Sequence, residues 1–432
     1  MNHRHLHTHR LPGLVLRSHE FQLPLDYADP DRGEITVYAR EVVAAGHEDK
    51  ELPWLLFLQG GPGFGAPRPL ENQGWLKRAL AEFRVLLLDQ RGTGLSSPAT
   101  AQTLARLATA REQADYLRHF RADAIVRDAE AIRRMLVGED RPWSVLGQSF
   151  GGFCAVHYLS AAAEGLREVL ITGGLPPLER PPDHVYRATY RRVLEMNRRY
   201  YDRYPEDVAR VQEIVAHLQR EEVRLPTGDR LTPRRFQQLG IAFGSSTGFE
   251  EVHYLLEQAF VAGRQGRELS YPFLRGVENA QAFDTNPIYA ILHEAIYCQH
   301  QASRWSAQRV RREFPDFEPA AGRPVYFTGE MVYPWMFEEY GALRPLREAA
   351  EILAGYEGWP QLYDVATLRA NRVPCAAVIY YDDMYVEREF SEETARQIRG
   401  MRIWVTNEYQ HNGLRADGER ILERLLAMAR GG

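Results

Sequence analysis

The sequence predicts an α/β protein: a mostly parallel central sheet covered by helices on both faces, with a mainly helical cap inserted into it. Three observations predict this. Short, wholly apolar runs at Pro53–Leu58, Phe83–Leu88 and Trp143–Leu146 read as strands buried on both faces. Stretches with apolar residues at helical spacing separate them, and such alternation argues for a parallel sheet. From Asp183 to about Tyr363 the pattern is helical, and sheet-type runs return at Val373–Tyr381 and Met401–Thr406.

Taken in order, Val15–Leu25 and Glu34–Val43 are expected strands, with Gly33 and the acidic stretch Asp26–Asp31 turning between them. Ala122–Val137 carries Ile125, Ala129, Ile132, Met135 and Leu136 at helical spacing, and Glu168–Thr172 is a further short strand. The proline-rich Pro176–Pro182 suits a linker. Beyond it, Val185–Tyr204, Asp207–Leu218, Arg234–Phe243, Glu250–Val261 and Pro287–Trp305 read as cap helices, and Gly413–Ala429 as a final amphipathic helix. The expected division is 1–174 and 364–432 for the sheet core and 175–363 for the cap.

Composition narrows the function. At 432 residues the chain exceeds one typical domain of about 100–200 residues. A net charge of −5 gives no reason to expect nucleic acid as a partner. No apolar run reaches the roughly 18 residues of a membrane span. Met1–Arg10 is basic and His-rich with no apolar stretch behind it, unlike a secretory signal. Cys154, Cys298 and Cys375 are too widely spaced for a disulfide framework or a zinc site, so a reducing, cytoplasmic setting is expected. Alternating His3, His5, His7 and His9 are read as a solvated, frayed terminus without a function.

The chemistry centres on Gly147-Gln148-Ser149-Phe150-Gly151, which joins the Trp143 strand to a small-residue helix. Strand, G-x-S-x-G, helix is the nucleophile elbow of the α/β-hydrolase architecture. So sharp a turn presses two backbones together, and glycine is needed where a Cβ would collide. A serine hydroxyl needs a general base in reach and an acid to orient that base, in the chain order Ser, Asp or Glu, His. Asp382 and Asp383 follow the strand ending at Tyr381, and His411 is the one histidine beyond them. Adjacent residues point opposite ways, so one of the two aspartates faces His411 and the other is a turn or cap carboxylate. The oxyanion donors are expected at the N–H of Phe150 and, in the loop Gln59-Gly60-Gly61-Pro62-Gly63, at the N–H of Gly61. That loop lacks the Lys and Ser/Thr of a phosphate-binding loop. Asp89-Gln90-Arg91-Gly92 reads as a salt-bridged turn, and Cys154 as a buried packing residue.

Together, Q-G-G-P-G at Gln59–Gly63, D-Q-R-G-T-G at Asp89–Gly94 and G-Q-S-F-G-G at Gly147–Gly152 resemble the proline iminopeptidases (prolyl aminopeptidases), a family of serine peptidases. Y-Y-D-D-M-Y-V at Tyr380–Val386 and T-N-E-Y-Q-H-N-G-L-R at Thr406–Arg415 look like its longer-chain bacterial branch. The resemblance implies a serine hydrolase that releases N-terminal proline from peptides without a cofactor or metal. Matching the family's G-R-Y-D run to Tyr380–Asp383 puts the acid at Asp383. The family often has histidine where this chain has Gln59, which leaves the glycine turn intact. An N-terminal proline carries a charged secondary amine on a compact apolar ring, so its site calls for carboxylates beside an aromatic pocket. By resemblance these are cap glutamates, and Glu294 and Glu330, each among apolar and aromatic neighbours, are the candidates. A small-acyl esterase on the same fold is the alternative; a non-catalytic receptor would be expected to have lost part of the triad.

Overall fold

A computed structural model describes residues 1–264, 266–320 and 322–431. Its strands are β1 (Asn2–Leu11), β2 (Leu14–Pro24), β3 (Glu34–Ala44), β4 (Trp54–Leu58), β5 (Arg84–Asp89), β6 (Trp143–Gln148), β7 (Leu166–Thr172), β8 (Phe260–Gly263), β9 (Gly266–Leu269), β10 (Cys375–Tyr380) and β11 (Met401–Thr406). Nine of them form one sheet in the order β1-β2-β3-β5-β4-β6-β7-β10-β11. From β5 to β11 the pairs run parallel; β1, β2 and β3 add an antiparallel edge. The apolar runs occupy the middle, and every residue of β5, β6 and β10 is buried. This is the α/β-hydrolase fold.

Helices cover both faces, for the reason their sequences give. Helix 122–136 turns Ile125, Val126, Ala129 and Ile132 onto one face, beside the elbow helix 150–161. Helix 418–430 buries Ile421, Leu422, Leu425 and Leu426 against the other. Each such side chain contributes roughly 1.5–3 kcal/mol, as an upper bound. The chain leaves the sheet after β7 and rejoins it at β10, and the intervening helices build a core of their own around Tyr190, Tyr200, Phe236 and Phe327. The charged turn after β5 is structural. Arg91, fully buried, pairs with Asp128 at 2.6 and 2.7 Å and donates to the carbonyls of Pro24, Leu25 and His119.

Three expectations are corrected. The histidine-rich start is an ordered strand, β1, paired along its length with β2; His3 meets His19 at 3.0 Å and His7 meets Ser18 at 3.1 Å. Polar alternation carried no burial signal, and pairing to β2 supplies the order instead. The helix expected over Glu250–Val261 spans Gly248–Glu257, and the chain then turns into the β8–β9 hairpin, with Gly266 at a φ of 124°. Pro287–Trp305 is not one helix but two short ones, Pro287–Leu292 and Glu294–Tyr297, followed by irregular chain. His300, Arg304 and Trp305 have positive φ, and the N–H groups of His300 and Arg304 donate outward to Trp359 and Ala354. Among the described residues no helix is long and apolar enough to cross a membrane. The three cysteines are free and buried, and burial raises the Cys154 thiol well above its ordinary value.

Candidate active site

Ser149 occupies a backbone conformation that side chains rarely adopt, φ 55° and ψ −125°, between β6 and its helix. Strain of this kind costs about 1–3 kcal/mol and persists only where the surroundings over-determine it. Here they do. The Ser149 N–H donates to Thr172 O at 2.9 Å, and Ser149 O accepts from Gly152 N at 2.7 Å. A Cβ on Gly147 would strike the Gly151 carbonyl, and one on Gly151 would strike the Leu58 carbonyl, both far inside van der Waals contact. Both obstacles are backbone, so neither can swing aside. Gly151→Ala is expected to destabilise the protein by about 3 kcal/mol, near the top of the range for overpacking; a fall in the urea midpoint at unchanged slope checks this.

The loop after β10 presents Asp383, and the loop after β11 presents His411, as expected for the carboxyl ends of parallel strands. His411 Nδ1 lies 2.7 Å from Asp383 Oδ2. The other oxygen, Asp383 Oδ1, accepts from the N–H groups of Tyr385 and Val386 at 2.8 and 3.1 Å. A carboxylate so held only accepts, so Nδ1 carries the proton and Nε2 is left as the basic nitrogen. Burial alone would lower the histidine's pKa, but the charge and hydrogen bond of Asp383, then the charge of Glu330, raise it above the ordinary value. Asp382 points away and pairs with Arg199 at 2.9 Å. The His411 backbone is tied to the cap through its N–H to Gly244 O, 3.1 Å.

Ser149 and His411 line one cavity of about 310 Å³, together with Gly61, Phe64, Phe283 and Tyr289. Glu330 is the one carboxylate on its wall. It accepts from the Tyr289 hydroxyl at 2.9 Å, and His293 Nε2 lies 3.7 Å away. Burial opposes its charge, yet the rings of His293 and His411 and the Tyr289 hydroxyl outweigh burial and hold the carboxyl below the usual range. Glu330 therefore presents a negative charge to the cavity. The Tyr385 ring stands edge-on to His411 at 4.8 Å. Gly61 borders the cavity, and Phe150 is the first residue of the elbow helix, where an N–H has no intrahelical acceptor. A Cβ on Gly60 would lie 2.9 Å from that of Ser149, so the glycine loop hugs the elbow.

Glu294 is placed elsewhere, which corrects the paired assignment. Its two oxygens accept from the N–H groups of Ser306 and Ala307 at 2.9 and 2.8 Å, at the start of helix 306–311. Burial raises its pKa, and it does not line the cavity. Tyr289, Phe64, Phe283 and Tyr385 were not singled out from sequence; Tyr385, inside the Tyr380–Val386 motif, had a signal that could have found it. Among the described residues, no group of three or more His, Cys, Asp or Glu side chains could hold a metal ion.

Fold and site together define an α/β-hydrolase of the serine type. Residues 53–240 match the family described as alpha/beta hydrolase fold. Over 421 residues the chain is 54% identical to a proline iminopeptidase from Aeromonas sobria, covering 97% of this chain and 98% of that protein. It is 39% identical to a proline iminopeptidase from Aspergillus aculeatus over 430 residues, 98% and 95% of the two chains. A solved structure, a proline iminopeptidase-related protein from Thermus thermophilus, covers 95% of this chain and 97% of its own at 16% identity and a TM-score of 0.41. The chain belongs to the proline iminopeptidase family.

Proposed function

We propose that the protein releases N-terminal proline from peptides through an acyl-enzyme. Ser149 attacks the carbonyl of the proline residue, and His411 Nε2 takes the hydroxyl proton. The N–H groups of Gly61 and Phe150 receive the oxyanion. His411 then gives the proton to the departing amine, and Asp383 holds the ring in the needed tautomer throughout. Water hydrolyses the acyl-enzyme by the same steps. Glu330 pairs with the charged secondary amine of proline, and the aromatic wall encloses its ring.

The observation that carries this reading is a cavity holding Ser149, His411 and a single buried carboxylate. An esterase for neutral acyl groups would have to desolvate Glu330 without a cation to repay it. A panel of aminoacyl-arylamides and p-nitrophenyl esters tests the reading. Proline arylamide is expected to be the best amide substrate; hydrolysis of simple esters with none of the amide would overturn the proposal.

Two outcomes follow from the charges. Glu330→Gln removes a charge-assisted contact worth about 1.5–3 kcal/mol, so kcat/KM for proline arylamide is expected to fall roughly 10- to 100-fold. The acid limb of kcat/KM reports the base, which works only when neutral. With its pKa raised, His411 is expected to give an acid limb above the ordinary histidine value of about 6.5. Activity rises as pH climbs through it. Loss of the Glu330 charge is expected to move that limb to lower pH, which a pH profile of the variant measures.

A further inference from the structure

Arg415 lies on the short helix Gly413–Ala416, which follows the His411 loop. It lines the cavity that holds Ser149, His411 and Glu330. It also lines an outer groove of about 690 Å³, walled by residues 67–76 and 414–419. The two spaces share this side chain. Nearby arginines are engaged: Arg420 pairs with Glu408 and Arg430 with Glu168. Among the described residues the Arg415 guanidinium has neither a carboxylate within ion-pair distance nor a side-chain hydrogen bond, although acids are close in sequence. The carboxylate of Asp417 accepts from Tyr409, and Glu419 meets Lys77. Glu71, on the rim of the outer groove, carries the remaining acidic group there.

The reaction proposed above fixes which part of a substrate reaches this guanidinium. The departing nitrogen must lie beside His411, because the histidine protonates it. Whatever follows that nitrogen extends past His411, on the side that Arg415 occupies. In a dipeptide the next charged group is the free α-carboxylate of the departing residue. Planar guanidinium matches a carboxylate with two parallel N–H donors. Given that reaction, we propose that Arg415 receives the free α-carboxylate of the departing residue and makes proline-headed dipeptides the preferred substrate class. Glu330 and Arg415 then read the two ends of one zwitterion, with Ser149 acting on the bond between them. A longer peptide loses this contact and runs on into the outer groove.

Arg415 is exposed, which limits the size of the effect to that of a solvated, two-pronged ion pair. The test compares the dipeptide Pro-Ala with its C-terminal amide, Pro-Ala-NH2, following proline release by wild type and by Arg415→Gln. In the wild type, kcat/KM is expected to favour the free acid about fivefold or more. In Arg415→Gln that ratio is expected to collapse toward one, through KM for the acid rather than through kcat, and Arg415→Lys to recover part of it. A wild-type ratio at or below one overturns the inference without any variant. A ratio that survives Arg415→Gln overturns it equally. Cleavage of neither peptide by the wild type would sink the proline-releasing reaction itself, and this preference with it, whereas equal cleavage of both would sink the preference alone.

Discussion

Ser149→Ala is expected to release proline from a proline arylamide at least about 10⁴-fold more slowly than wild type, with the protein still folded. The serine hydroxyl is the group proposed to form the acyl-enzyme, and no other hydroxyl stands at the elbow. Its removal leaves the backbone strain unchanged, because φ and ψ at position 149 are set by the Thr172 and Gly152 hydrogen bonds and by the glycines around them. Alanine carries the same Cβ that already fits against Gly60. The loss should therefore fall on kcat, with KM for the arylamide near its wild-type value. Circular dichroism and the urea midpoint provide the control. Near-wild-type release by this variant would remove the serine mechanism altogether.

The second large effect separates two adjacent residues. Asp383→Asn is expected to lower kcat by about 10³- to 10⁴-fold, because an amide facing Nδ1 can turn its NH2 group to the ring and favour the wrong tautomer. Asp382→Asn, one position earlier, breaks a partly exposed pair with Arg199. That change should cost no more than about 1 kcal/mol of stability and leave kcat near wild type. Steady-state kinetics on the two variants in parallel decide the assignment. Equal losses in both, or a loss confined to Asp382→Asn, would move the acid away from Asp383.

The ease with which each feature could be read from sequence tracks how local its cause is. The elbow was legible because a tight strand-to-helix turn demands glycine at fixed spacing from the serine, and the demand acts within five residues. His411 was legible because the architecture prescribes a chain order and a single histidine satisfied it. Asp382 and Asp383 resisted the reading of residues alone, since both leave the same strand; the backbone amides of Tyr385 and Val386 that hold Asp383 are visible only in three dimensions. Glu294 and Glu330 looked alike for a related reason. A carboxylate among aromatic residues can face a cavity or start a helix, and the partners that decide between these lie 12 and 13 residues away for Glu294 and 41 away for the tyrosine beside Glu330. The β1 edge and the β8–β9 hairpin were missed because pairing, not burial, orders them. Arg415 was quoted as the end of a motif, but its lack of a partner has no signature in sequence.

Fluorophosphonate labelling tests the central claim, that Ser149 is the activated nucleophile of a peptidase site, most directly. The predicted result is one phosphonyl group per chain, carried on the peptide that contains Ser149, with proline release lost in proportion and with labelling slowed by excess proline arylamide. Full release of proline after stoichiometric labelling, or a label carried on any residue other than Ser149, would contradict the account.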